Sequence, residues 1–529
     1  QTTITFVAQT SLGLLPGVVA PLTLRGAVGT PVYVPDVILL MPLPATPPGD
    51  MTVKVTVTAG AGELTAVDGV GLITFGSTIT LTGTLGQVER SLQTLTYEGS
   101  AANSDTIVIL VEDYAGAGVG AITVYNETAS QTFAWVPASG SFSDPGNWSV
   151  GTTPPGGNDV ATFGPGTYSV SGDGAVGEIL ATGTVTLTGQ VIAQGSSGAA
   201  LVVDSGGALT LSGGAVLSAQ AQATVGDTGQ GLLALMGGAL ALTGSSTANA
   251  LVIGEDTGSS GTVVNLEQIT ALGTVVVGGK GNGTLELLGV AASLYDGAAD
   301  IGQSAGSQGS VIVNGGFWAS GQSTPEDTTS GQLTVGDSGI GSLLINGMDG
   351  GIAGQVTAFN ATIGNNVGSV GSITLDGGEL LVANYSATSS TLTVGESGVG
   401  SLIIEEGSEV AVGAAQAIMA DDNGLLVVGG SAGGNGRIRI GGNSALLVYG
   451  DGTVGGEGVG DVVVDQSADD TALFALTGSL TVETTGHVSL SGSHVTLRAS
   501  EFDVAVGGGI SGAGTLSGLG GGNDTVKLA

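Results

Sequence analysis

A glycine-punctuated motif recurs along this chain and alternates between two lengths. The short form reads Val-Gly-x-x-Gly-x-Gly: VGDTGQG at Val225, VGGKGNG at Val277, VGDSGIG at Val335 and VGESGVG at Val394. The long form has two more residues before its last glycine: IGEDTGSSG at Ile253, IGQSAGSQG at Ile301, IGNNVGSVG at Ile363 and VGGSAGGNG at Val428. From first to last glycine the spacings run 5, 7, 5, 7, 5, 7, 5, 7. Four of each form allow about seventy orders, of which two alternate, so the pattern is a design and not a composition effect. Self-similarity at a fixed period means stacked supersecondary units. Between Gly226 and Gly429 seven intervals cover 203 residues, an average of 29 per repeat. That suits one coil of a β-helix whose loops vary in length.

The flanking residues support coils built of strands. Aliphatic runs follow the motifs, as in Ser342-Leu-Leu-Ile345 and Ser372-Ile-Thr-Leu375, and glycine pairs such as Gly237-Gly238, Gly315-Gly316 and Gly377-Gly378 come after several of them. No helical period is present after about residue 165. The expected architecture is all-β: a parallel β-solenoid over residues 165–529, with its most regular part at 223–440 and about a dozen coils.

Two regions precede it. Residues 1–130 read as a β-sandwich: Val53, Val55 and Val57 alternate as on a half-buried strand, and Ile79 and Leu81 do the same. Within GQVERSLQTLTY the period changes, since Val88, Leu92 and Leu95 fall at i, i+4 and i+7, which predicts one short helix. SDTIVILVEDYAGAG predicts a buried strand and a turn. Residues 131–164 form a junction broken by Pro137, Pro145, Pro154 and Pro155, where Trp135, Phe142, Trp148 and Phe163 gather. Those rings suit a cap on the first coil, which would otherwise expose unpaired backbone and core. A sugar-stacking role for Trp135 or Trp148 is the alternative.

Thr80-Leu-Thr-Gly-Thr-Leu85, Leu92-Gln-Thr-Leu-Thr-Tyr97, Asp105-Thr-Ile-Val-Ile109 and Val111-Glu-Asp113 give residues 20–127 a resemblance to the cadherin-like and immunoglobulin-like modules of large bacterial adhesins. Such modules act as spacers, and some bind calcium between neighbours. By that resemblance Glu112 and Asp113 are a candidate calcium pair; as plain residues they read as a solvated turn after a strand. Residues 133–450 resemble the β-strand repeats of autotransporter passengers and related bacterial surface proteins. The resemblance rests on Val-Gly-x-x-Gly-x-Gly-Ser/Thr-Leu-x-Ile and on Asn147-Trp148, Pro154 and Asp159-Val-Ala-Thr-Phe163. It implies a secreted or surface-exposed solenoid and carries no catalytic residue. No outer-membrane barrel is expected from the residues after the repeats, which leaves the export route open.

Charge narrows the partners. With 44 acidic residues against 8 basic, the formal charge is −36. Nucleic acid and anionic membrane both need Lys and Arg, so neither is an expected partner. No run of eighteen apolar residues is present, so no transmembrane helix is expected. There is no cysteine. A strongly acidic surface suits metal cations, high salt or simple solubility. The acids in the turns are the candidate cation ligands: Asp227, Asp337 and Glu396 follow the first glycine of short motifs, and Glu255 does so in one long motif. Stacked as an intermittent column, they either bind calcium or form a solvated edge, and alternate coils about 10 Å apart favour the latter. The C-terminal GLGGGNDTVKLA resembles the Gly-Gly-x-Gly-x-Asp calcium repeats of type I secreted proteins, which makes Asp524 a further candidate.

Catalytic signatures are weak. His487 and His494 lack a zinc-ligand partner set. The motif turns lack the helix and lysine of a nucleotide loop. The pairs Glu255/Asp256, Glu326/Asp327, Asp421/Asp422 and Asp469/Asp470 are adjacent in sequence, and adjacent strand residues point to opposite faces, whereas glycoside hydrolysis needs two carboxylates facing one substrate. Basic residues that would neutralise a uronate are scarce, with Arg437 and Arg439 the close pair. The expected function is therefore non-enzymatic: an extracellular bacterial structural protein, as adhesin stalk, surface-layer or fibre subunit, acting by self-association. Surface glycans and host or abiotic surfaces are further partners to consider. A carbohydrate-binding or polysaccharide-degrading β-helix is the alternative.

Overall fold

A computed structural model describes residues 16–20, 23–29, 31–34, 37–40, 52–67, 73–100, 104–113, 116–127, 130–151, 153–195, 198–244, 248–321, 331–348, 352–383, 389–413, 424–466, 470–518 and 526–528. The fold is all-β, with antiparallel sheets at the N-terminus followed by a parallel β-solenoid of about 13 turns. The chain divides into two compact units, Gln1–Leu180 with Gly189–Leu201, and Ala181–Thr188 with Val202–Ala529.

In the first unit, a five-stranded and a four-stranded sheet share one core. The strand Thr52–Ala59 pairs antiparallel with Ser104–Asp113 and Thr78–Thr84. Its Val53, Val55 and Val57 are fully buried, as their alternation predicts. The second sheet sends Val32, Leu64, Ala66 and Tyr97 into the same core. The predicted helix is Leu85–Leu92, opened by a capping box of Thr84 and Gln87. It buries Val88 and Leu92, while Leu95 reaches the core from beyond its end. Asp105 is buried here and accepts from the Tyr97 hydroxyl (2.8 Å), Ala61 N (2.9 Å), Gly62 N (3.1 Å) and Thr106 N (2.7 Å). The strand Ile73–Gly76 lies at the edge of its sheet, with Ile73 67% and Phe75 75% exposed.

Parallel pairing starts within the same unit, earlier than residue 165. Thr132–Ala134 pairs with Val160–Phe163, and Ser139–Ser141 with Thr167–Ser171. Phe133, Trp135, Phe142, Trp148 and Phe163 are all buried there, with ring centroids 4.9–6.5 Å apart. The Trp148 indole N–H donates to Phe142 O at 2.7 Å. Buried rings present no face to a sugar, so the packing role fits and sugar stacking at Trp135 or Trp148 does not.

In the second unit each regular coil contributes three strands. Ala298–Ile301, Gln308–Asn314 and Phe317–Ser320 make one coil, and Gln332–Val335, Ile340–Met348 and Gln355–Ala358 the next. Each pairs in register with its equivalent one coil away. The glycine motif joins the first strand to the second. Its first glycine has φ between +71° and +76° in all eight copies, a left-handed conformation that side chains disfavour. Its last glycine is needed for a different reason. In the long turn Ile301–Gly309, a Cβ on Gly309 would lie 2.1 Å from Val277 O on the preceding coil. These last glycines pair with one another in register from Gly207 to Gly486, through Gly231, Gly261, Gly283, Gly309, Gly341, Gly371, Gly400, Gly436 and Gly460.

This ladder exposes a ninth motif, Val454-Gly-Gly-Glu-Gly-Val-Gly460, beyond the eight that the repeat pattern alone picks out. It is a short form, so alternation continues beyond residue 440. The alternation has a steric basis. Each long turn with a serine before its last two residues tucks that serine into the wall: Ser259, Ser307 and Ser369 are at most 1% exposed. Each sits against the middle glycine of the following short turn. A Cβ on Gly281, Gly339 or Gly398 would come within 2.3–2.6 Å of the serine Oγ.

Candidate functional site

The first strand of each coil is only three to five residues long, with two residues facing the core and one facing out between them. Leu333 and Val335 are core residues, and Thr334 between them points outward. The outward residues stack as Thr224, Val252, Val276, Asp300, Thr334, Thr362 and Thr393. Thr224, Val252, Val276, Thr334, Thr362 and Thr393 are nonetheless buried, at 0–8% exposure. Glutamine amides reach two of them. Gln332 Nε2 donates to Thr362 Oγ1 at 3.1 Å, and Gln222 Nε2 to Thr224 Oγ1 at 3.1 Å.

Next in the chain after each of these strands comes the stack of motif turns. Backbone bonds continue the ladder through it, such as Asn365 N to Gly336 O (2.9 Å) and Glu396 N to Gly364 O (3.0 Å). The residues after the first glycine therefore stack as Asp227, Glu255, Gly279, Gln303, Asp337, Asn365 and Glu396. The expected acid column exists, and Glu255, Asp337 and Glu396 in it are bonded by neighbouring coils. Asp337 Oδ1 accepts from Asn365 Nδ2 (2.7 Å) and Asn366 Nδ2 (3.0 Å). Glu396 Oε1 accepts from Ser431 Oγ at 2.6 Å. Glu255 Oε2 accepts from Gln222 Nε2 at 2.8 Å, and Asp256 pairs with Lys280 at 3.1 Å. Burial raises the Asp227 carboxyl above its ordinary range, helped by Asp204 and Asp256. Burial likewise raises Glu255, although Lys280 opposes it. Asp337 and Glu396 are separated by the uncharged Asn365, as the alternation predicts.

The other candidates lie apart from this column. Glu112 pairs with Lys54 at 2.8 Å on the sheet of the first unit, and Asp113 ends the same strand. Asp524 lies outside the described residues, as do Glu326, Asp327, Asp421, Asp422 and Asp469. Among the described residues no group of three or more His, Cys, Asp and Glu side chains is arranged to hold a metal ion. His487 and His494 share the strand Gly486–Ala499, where His494 Nδ1 lies 3.3 Å from Gln466 Nε2. Arg437 and Arg439 are engaged across coils: Arg439 bonds Glu405 and Asp465 (2.9 Å), and Arg437 faces Asp461 at 3.7 Å.

Two polar features carry no motif in the sequence. Asp204 accepts from Gly229 N (2.7 Å), Thr228 N (3.2 Å) and Thr228 Oγ1 (2.8 Å), anchoring the first short turn. Burial pushes its carboxyl up, but these bonds outweigh it and hold the group below the ordinary carboxylate value. Asp300 lies in the outward row between Val276 and Thr334, bonded by Gln303 Nε2 at 3.2 Å, and burial raises its carboxyl with help from Asp337. Its one sequence signal is an acid at the centre of a first strand. A shallow depression of 420 Å³ beside Ser389, Leu425, Asp451 and Thr477 offers little chemistry, since Asp451 Oδ1 is occupied by Ser479 N (2.7 Å) and Oγ (2.9 Å).

Among the described residues no helix is long and apolar enough to cross a membrane, which says nothing of β-barrels. Comparison with protein-family models, with curated proteins and with solved structures finds no match to this chain.

Proposed function

We propose that this chain is a non-enzymatic structural protein of the bacterial cell surface, serving as an adhesin stalk, surface-layer subunit or fibre subunit. Its action is mechanical: a stiff solenoid spaces or tiles, and copies associate with one another. The observation that carries this reading is the unbroken glycine ladder from Gly207 to Gly486, with hydrogen-bonded turns along it. Polar side chains at the corners bond neighbouring coils, which supports a role as structural ties. Negative-stain imaging of purified protein with and without calcium tests it. Filaments, sheets or bundled rods are expected; isolated particles at every concentration and in both conditions refute self-association.

A glycan-binding reading has one observation in its favour. Tyr295 and Phe317 face outward on neighbouring coils with centroids 5.7 Å apart, and Gln355 is the register neighbour of Phe317. Aromatic faces beside an amide suit a neutral sugar. Loss of binding to a glycan panel on Phe317→Ala, with the fold intact, supports it; no binding by the parent chain refutes it.

A further inference from the structure

An acid on the inward face of the solenoid, Asp296, has no charged partner among the described residues. Asp296 ends the strand Ser293–Asp296 and is 0% exposed. Its Oδ2 accepts from the Trp318 indole N–H at 2.6 Å, one coil on. Its Oδ1 and the buried Ser320 Oγ make no hydrogen bond of good geometry, although Ser320 is the register neighbour of Asp296 and close enough to act on its charge. The side chains stacked around it are Ala271 on the coil before and Trp318, Ser320 and Ala358 on the coils after, none charged. The charged group that acts on it is Asp300, another acid, on the strand Ala298–Ile301. No cation pairs with Asp296 among the described residues.

A fully buried carboxylate with no counter-ion is costly, and such groups neutralise instead. We propose that Asp296 is a neutral carboxylic acid in the folded solenoid and that losing its proton loosens the two coils it joins. The protonated oxygen is a donor aimed at Ser320, while the carbonyl oxygen keeps the Trp318 bond. The acid thus latches the strands Ser293–Asp296 and Phe317–Ser320 together while the proton stays. Consistently, burial raises its pKa from 3.8 to about 7, with Trp318, Ser320 and the Gly321 N–H opposing and Asp300 adding to the rise. Because the folded value lies above the unfolded one, the latch is at full strength below about pH 4. It weakens as pH climbs and levels off near pH 7.

Amide hydrogen exchange on the full chain tests this, corrected for intrinsic rates. Local opening of Ser293–Asp296 and Phe317–Ser320 should rise about tenfold per pH unit from pH 4 toward pH 7, roughly a thousandfold in all. Asp296→Asn, a neutral group of the same shape, should abolish that slope while distant coils stay unchanged. A parent chain whose opening ignores pH over this range, or a variant that keeps the slope, overturns the proposal. Infrared spectroscopy needs no variant. An un-ionised carboxyl band should persist at about pH 5.5; a spectrum with none overturns the proposal equally.

Discussion

Three glycine-to-alanine substitutions separate the two reasons for glycine in the motif. Gly306, in the long turn, has φ +85° and nothing within 4 Å of where a methyl would stand, so Gly306→Ala meets backbone strain alone. That costs about 1–2 kcal/mol. Gly309, the last glycine of the same turn, is not among the left-handed residues, so Gly309→Ala meets the neighbouring coil alone. Its methyl would lie 2.1 Å from Val277 O and 2.5 Å from Gly302 N. Those two atoms are themselves hydrogen-bonded at 2.8 Å. Ordinary contact starts at 3.4 Å, so the methyl must part the coils by about 1 Å and break that bond. Overpacking costs about 1–3 kcal/mol and an orphaned buried pair about 1–3 more, giving about 2–6 kcal/mol. Gly336 combines both, with φ +72° and Val370 O at 2.5 Å, and Gly336→Ala should be at least as damaging as Gly309→Ala. Hydrogen exchange across Gln308–Asn314 and Ile340–Met348 reads the local loss, which a single global transition can hide in a repeat array. The order Gly306 < Gly309 ≤ Gly336 is expected. If Gly309→Ala costs no more than Gly306→Ala, contact between coils is not what the glycine ladder serves.

Further substitutions probe other parts. Asp105→Asn should cost about 2–3 kcal/mol at neutral pH by chemical denaturation, since four donors lose a carboxylate. Burial pushes that carboxyl up, yet its bonds hold it below the ordinary value of 3.8, so its stabilisation is present above that value and fades as acid protonates it. The gap between parent and variant should therefore close on acidification; a gap that widens contradicts this. Arg439→Ala should cost at most about 1 kcal/mol at low salt and nothing measurable at about 1 M salt, because its pairs with Glu405 and Asp465 are exposed. Phe75→Ser should leave the melting temperature unchanged and lower the binding of an apolar dye, since that ring is already in solvent.

Fold was readable from sequence wherever periodicity and burial coincide. Val53, Val55 and Val57 alternate because one face is core, and Val88 and Leu92 lie one helical turn apart for the same reason. The glycine motif was readable because left-handed φ and crowding between coils both demand one residue type. The outward row was not. Thr334 and Thr362 look like solvent-facing strand residues, yet both are buried, and an amide about 30 positions away, that of Gln332, bonds Thr362. Asp296 was hidden for the opposite reason: a lone acid ending a short strand reads as surface until Trp318 is placed over it. Asp105 looked like one more acid near a strand start, and its role rests on Tyr97 and the Ala61–Gly62 backbone from other elements.

The fit of each buried serine over the next glycine also constrains how such a chain gains or loses length. Removing one coil sets two turns of the same kind against each other. Two long turns would then bring a serine against a position with no matching gap. Two short turns would leave an unfilled notch. Removing two consecutive coils restores every match. Ancestral duplication and present-day engineering should therefore proceed in steps of two coils, about 58 residues from Gly278 to Gly336, with odd steps selected against by packing alone.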